Sequence, residues 1–219
     1  MRITRVAIDL DDVCNEFTMH ALKHVGCDID FDDWSNFNPE WGFDIIHAAN
    51  ALPHRLDGML DYGISGSIVP EDRKERFTFS SFWSRFDCKF WADLPISKEL
   101  QTILEIASDI TREESVPFIL TAPICGPLVP DEITIDCMTG KIRWMHKHLP
   151  DYMVDNFLIG KPKYFCATKE TLLIDDSDEN VNLFRKAGGQ AVLLPRPWNS
   201  AHDANPIDYL VNKIMKILT

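Results

Sequence analysis

Five short apolar runs alternate with amphipathic helical stretches, and three of the runs end in acidic or hydroxyl residues; this alternation limits the chain to few folds. Val6-Ala7-Ile8-Asp9-Leu10, Phe118-Ile119-Leu120-Thr121 and Leu172-Leu173-Ile174-Asp175-Asp176 each read as a buried strand finishing at a polar tip. Phe157-Leu158-Ile159 and Ala191-Val192-Leu193-Leu194 are further strand candidates. Helical patterns cover residues 97–108, 141–148, 179–187 and 207–218, with Ser97 placed to cap the first and Gly188-Gly189 to end the third. Alternating strands and helices predict an α/β fold with a parallel sheet, in which ligands bind beyond the carboxyl ends of the strands. The three polar tips should therefore converge.

Residues 15–90 interrupt the alternation. They show helical patterns, no convincing strand and a high density of aromatics, including Phe31, Trp34, Phe37, Trp41, Phe43, Phe77, Phe79, Phe82, Trp83 and Phe86. We read them as a helical cap inserted into a catalytic core made of residues 1–14 and 91–219. The crossing into the cap falls between Cys14 and His24, and the return between Phe90 and Pro95, where the proline marks a break.

A length of 219 residues with 45% hydrophobic content suffices for one good core and a small accessory domain. The apolar runs fall short of the roughly 20 residues a membrane span requires, and the N-terminus lacks the pattern of an export signal. Six scattered cysteines without metal-like spacing read as buried thiols in a reducing compartment, so a cytoplasmic location is expected, with no membrane association. A net charge of −12 disfavours polymeric nucleic acid, whose binding requires many phosphates to be neutralised by Lys and Arg. A small phosphate ligand needs only a local cluster of cations, a metal ion or helix N-termini. The sequence is compatible with a homodimer.

Asp9 and Asp11 lie two residues apart straight after an apolar strand, where both carboxylates can enter one pocket. Two unit charges about 4 Å apart at an effective dielectric near 20 repel by roughly 4 kcal/mol. A shared proton or a bound cation must offset this, and a third carboxylate from Asp175 or Asp176 would complete an all-oxygen site favouring Mg²⁺.

Together, the Asp-x-Asp, the threonine tip, a lysine and the acidic pair resemble the haloacid dehalogenase superfamily. The stretches Asp9-Leu10-Asp11-Asp12-Val13 with Phe17, Phe90-Trp91-Ala92-Asp93-Leu94-Pro95, Leu120-Thr121-Ala122-Pro123-Ile124, Lys141-Ile142-Arg143-Trp144 and Leu172-Leu173-Ile174-Asp175-Asp176 look like the 5'(3')-deoxyribonucleotidase family. This resemblance implies a Rossmann-like core with a small helical cap, and hydrolysis of nucleoside monophosphates through an aspartyl-phosphate. It implies Asp9 as nucleophile and Asp11 as acid/base. Mg²⁺ would be held by Asp9, the backbone carbonyl of Asp11, and Asp175. Thr121 and the adjoining backbone, including Ala122, would hold phosphoryl oxygens. Lys141, which follows Thr139-Gly140 and is expected to open a helix, is the first choice for balancing the phosphoryl charge. Lys161 is the second, and Lys163 also competes. The chain departs from the family in having Asp12 where glycine is common and Ala122 where a small hydroxyl residue is common. The span from Thr121 to Lys141 is also longer, with an acidic insert at residues 127–136.

Phe17 and Trp91, by their position near the motifs, are candidates for stacking on a nucleobase, although packing within the cap explains each equally well. His20 and His24 share a helix face without a third ligand and read as a structural pair. Two other functions remain open at this level: a phosphatase for a different small phosphomonoester, and a non-catalytic binding module on the same fold.

Overall fold

The computed structural model describes residues 2–30, 37–54, 76–112 and 115–219. Among these, all five expected strands form: β1 (Arg5–Ile8), β2 (Phe118–Thr121), β3 (Phe157–Ile159), β4 (Thr171–Asp175) and β5 (Gln190–Leu193). They make one parallel sheet in the order β3-β2-β1-β4-β5. Ile8 pairs with Ile119 on one side and Ile174 on the other, so β1, β2 and β4 end side by side at the sheet's centre.

Successive strand residues point to opposite faces, and both faces are covered. Val6, Ile8, Leu172, Ile174 and Val192 join a core with Ile103 and Ala107 of α5 (Leu100–Thr111) and with Leu210 and Ile214 of α8 (Pro206–Leu218). The intervening Ala7, Leu173, Ala191 and Leu193 pack with Val181 and Phe184 of α7 (Asp178–Lys186). This is the parallel α/β sheet that the alternation of strands and helices predicts. Gly188, at φ 96°, follows α7 in the left-handed region, as its glycine pair predicts.

Two helix starts differ from expectation. Ser97 does not cap α5; its hydroxyl donates to the Val13 carbonyl at 2.6 Å and its N–H to the Cys14 carbonyl at 2.8 Å, tying the chain's return to the loop after β1. The helix containing Lys141 begins ten residues earlier than expected, as α6 (Asp131–His148), and absorbs much of the acidic insert. Gly140 therefore neither starts nor stops a helix. It allows α6 to press against α4 (Cys88–Ala92), because a Cβ there would meet Trp91 Cβ at 2.3 Å and the Cys88 carbonyl at 2.7 Å.

Among the described residues of the 15–90 segment, α1 (Phe17–His24), α2 (Ile45–Ala51), α3 (Phe79–Trp83) and α4 are helical, a short 3-10 turn spans Pro39–Trp41, and no residue joins the sheet. Phe31 and Trp34 lie outside the described residues. Phe17, Trp83 and Trp91 form a near-parallel stack, with Phe17 and Trp91 centroids 4.8 Å apart at 9° and Phe17 and Trp83 at 6.1 Å and 8°. Such contacts add about 0.5–1.5 kcal/mol beyond area burial. His24 Nε2 meets the Arg85 carbonyl at 3.0 Å and its ring lies against Phe86 and Phe90, and His20 lies 3.8 Å from Glu16.

Candidate active site

The chain leaves β1 at Asp9, whose N–H donates to the Ile174 carbonyl at 2.9 Å and extends the ladder by one bond. Asp9 Oδ1 accepts from the Leu10 N–H at 2.7 Å, and Oδ2 lies 2.7 Å from Lys163 Nζ. Burial pushes the Asp9 carboxyl up to about 7; Lys163 pulls against this, while Asp175 and Asp11 add to it.

Asp12, at φ 58°, makes the turn behind Asp9. Glycine suits that backbone, and aspartate is among the few side-chain-bearing residues that tolerate it. Its carboxylate accepts from the Thr18 N–H at 2.8 Å and the Thr18 hydroxyl at 2.7 Å, satisfying the first turn of α1, which lacks a capping side chain of its own. The turn that follows Asp11 is thus fastened to α1, the first helix after β1.

Asp11 is directed away from Asp9's partners. Its Oδ2 lies 2.5 Å from Lys141 Nζ, which also donates to Thr121 Oγ1 at 3.1 Å and to the Ala122 carbonyl at 2.6 Å. Lys141 is almost fully buried, 1% exposed, halfway along α6. Burial lowers its affinity for a proton, but the Asp11 charge overrides this and the net shift is upward. Four residues expected to act together, Asp11, Thr121, Ala122 and Lys141, are therefore joined through one ammonium group.

Lys163 forms the second hub, 2.7 Å from both Asp9 Oδ2 and Asp175 Oδ2. Burial opposes its charge, yet Asp175 and Asp9 hold its net shift upward. Its sequence context places it behind Lys141 and Lys161 as a candidate. The signal available was Pro162, which stands before the Lys163–Cys166 3-10 turn and brings the lysine inward while leaving Lys161 exposed. Lys161 lines the cavity wall but belongs to neither hub.

At the tip of β4, Asp175 Oδ1 accepts from the Ser177 N–H at 2.9 Å and from Asn180 Nδ2 at 3.1 Å. Asp176, considered in the sequence only as an alternative to Asp175, is also drawn in. Its Oδ2 accepts from Trp198 Nε1 at 2.8 Å, while Oδ1 is buried with no hydrogen-bond partner among the described residues. Burial, then the charges of Asp12, Asp175 and Asp9, push its carboxyl well above the usual range. One carboxylate oxygen from each of Asp9, Asp175 and Asp176 lies within 4.8 Å of the other two.

These residues fit a hard divalent cation. The donors are all carboxylate oxygens, and among the described residues one buried oxygen is unsatisfied and five aspartates (Asp9, Asp11, Asp12, Asp175 and Asp176) are met by two lysine ammonium groups and by Arg196, which Glu99 also engages. The Asp11 carboxylate is not one of the clustered ligands, because it turns to Lys141. Its expected contribution to the metal is through the backbone carbonyl.

Above the strand tips lies a cavity of about 560 Å³, lined on the sheet side by Asp9, Asp11, Thr121 and Lys163 and on the cap side by Phe17, Phe37, Phe43, Phe79 and Trp83. Phe43 and Phe79 are about half exposed or more, at 64% and 48%. Phe17 thus lies where a ligand would meet it, but Trp91 does not. Trp91 is 1% exposed behind Phe17, held between that ring and Gly140, and is a packing residue rather than a wall of the cavity. Cap-side aromatics that sequence position did not single out, Phe43 and Trp83 among them, occupy the wall instead.

No family model and no curated protein sequence matches this chain. Among solved structures, a predicted phosphatase from Clostridium acetobutylicum aligns over 99% of this chain and 100% of its own, with a TM-score of 0.54 and 15% identity. The two proteins share a fold. A HAD family enzyme from Bacteroides thetaiotaomicron, bt-2542, solved in complex with magnesium and inorganic phosphate, covers 93% of this chain at 16% identity, with a TM-score of 0.37, below the level at which a common fold follows. Among the described residues, no helix is long and apolar enough to cross a membrane.

Proposed function

We propose that the chain is a magnesium-dependent phosphomonoesterase that hydrolyses nucleoside monophosphates, deoxyribonucleotides foremost, to nucleoside and phosphate. The observation that carries the phosphatase reading is the separation of Asp9 and Asp11 onto different lysines. Asp9 shares Lys163 with Asp175, whereas Asp11 shares Lys141 with Thr121 and Ala122. Two carboxylates only two residues apart thereby acquire different surroundings, the condition for different roles.

In this reading an Asp9 oxygen attacks phosphorus, the phosphorus–sugar oxygen bond breaks, and the leaving oxygen takes a proton from Asp11. Asp11 then accepts a proton from the water that attacks the aspartyl-phosphate, releasing phosphate and restoring Asp9. Asp9, Asp175, Asp176 and the Asp11 carbonyl would hold the Mg²⁺, which when bound supplies charge neutralisation between nucleophile and phosphoryl group. Lys141 and the Thr121 hydroxyl hold the phosphoryl oxygens. The aromatic cap wall supports a flat, apolar leaving group such as a nucleoside, since stacking contributes roughly 1–3 kcal/mol per base. Six free cysteines support a cytoplasmic setting.

A phosphate-release panel tests the proposal. Turnover of dUMP or dTMP above that of sugar phosphates is expected, and the reverse order overturns the nucleotide assignment. Asp9→Asn is expected to abolish release, and unchanged activity overturns the nucleophile.

A further inference from the structure

We infer that Trp198 is a positioning residue for the cation site, its indole N–H holding one oxygen of Asp176 so that the other is left for the ion. This rests on the reading of Asp9, Asp175 and Asp176 as cation ligands, and adds a residue from outside every motif that reading used.

Trp198 belongs to the loop after β5, 22 residues from Asp176 and 5% exposed. That loop holds Asp176 twice. Asn199 Nδ2 donates to the Asp176 carbonyl at 2.9 Å and to the Leu194 carbonyl at 2.7 Å, fixing the main chain where β4 and β5 end. This main-chain clamp leaves the carboxylate free to rotate. The indole removes that freedom by donating to Oδ2 at 2.8 Å, which leaves Oδ1 as the buried oxygen with no partner among the described residues. A buried carboxylate oxygen without a donor is costly, and such groups in native folds call for a missing ion or a functional role.

The indole is itself braced. Its ring meets Phe37 edge-on at 5.6 Å and 64° and forms part of the cavity wall, so it cannot swing away from Asp176 without disturbing the cap side. Hydrogen-bond donors behind metal ligands fix ligand orientation, and their loss typically weakens metal binding by roughly 10- to 100-fold.

Calorimetric titration of Mg²⁺ into the chelator-stripped chain tests this. Trp198→Phe, which keeps a ring against Phe37 but removes the N–H, is expected to weaken Mg²⁺ binding by roughly 10-fold or more. Trp144→Phe is the matched control. It removes another buried indole hydrogen bond, 2.6 Å to the Leu94 carbonyl, and should lower the melting temperature while leaving the Mg²⁺ Kd unchanged. An unchanged Kd in Trp198→Phe overturns the inference, as does an equal loss in both variants. The parent chain gives a second readout that needs no variant to fold: the Trp198 indole N–H resonance must shift along the Mg²⁺ titration while that of Trp144 stays, and a stationary Trp198 resonance overturns the inference. Absence of Mg²⁺ binding in the parent, or undiminished binding in Asp175→Asn, removes the cation reading itself and the role of Trp198 with it.

Discussion

Gly140 lies so close to Trp91 that one added methyl group would sit 2.3 Å from the tryptophan Cβ. The next residue along α6 is Lys141, whose ammonium joins Asp11 to Thr121. Gly140→Ala must push α6 away from α4 and carry Lys141 with it. We expect a loss of about 1–3 kcal/mol, typical of overpacking, visible in thermal melts as about 2–4 °C per kcal/mol for a chain of this size. A fall in kcat beyond that of an equally destabilised variant remote from the site would show that Lys141 has moved.

Asp11→Asn removes the proposed proton donor and acceptor but preserves size and the link to Asn15. General acid–base groups contribute roughly 10²–10⁴ in rate, so kcat should fall in that range while Mg²⁺ binding persists. The loss should shrink for a substrate with a better leaving group, such as an aryl phosphate, because protonation then matters less. An equal loss for both substrates would contradict the assignment of Asp11 as acid.

The three lysines should separate kinetically. Lys141→Met and Lys163→Met each remove a buried cation from a hub and should reduce kcat/KM by roughly 10² or more, in line with losses of charge-stabilising donors elsewhere. Lys161→Ala, at the cavity wall and exposed, should raise KM by less than about 10-fold with kcat unchanged, the sign of uniform binding. Steady-state kinetics on purified variants distinguishes these outcomes.

In the proposed site magnesium and protons would compete for the same oxygens. With the Asp9 carboxyl raised from 3.8 to about 7 and Asp176 also raised, the native state binds more protons than the unfolded chain between those values. Their contribution to stability is therefore greatest below the unfolded value and is lost as pH rises through about 7. A cation requires the ionised forms, so the rise in melting temperature produced by Mg²⁺ over chelator should be larger near about pH 8 than near about pH 5.5. An equal shift at both values would show that the ion binds elsewhere.

Much of this architecture is legible in the sequence because it depends on local patterns. All five strands were visible as apolar runs, and the convergence of Asp9, Thr121 and Asp175 follows from strand order once the sheet is parallel. What was hidden depends on tertiary approach. Ser97 looks like a helix cap until the Val13 carbonyl competes for its hydroxyl. Gly140 looks like a helix boundary because sequence does not reveal that a second helix needs its missing side chain. Trp91 looks like a stacking platform until Phe17 covers it. Lys163 and Trp198 lie outside any periodic signal, and only the folded loops bring them to the acidic tips.

The central position of β1 affects when the protein can first work as it is made. Asp9 and Asp11 leave the ribosome before Lys141, which reaches Asp11 across a separation of 130 residues, and the remaining acidic ligands follow later still on β4. Until those segments dock, a nascent chain displays concentrated negative charge with neither counter-charge nor a complete ion cage. On the proposed function competence therefore waits for β4, and a ribosome-stalled fragment ending before that strand should neither retain magnesium nor release phosphate.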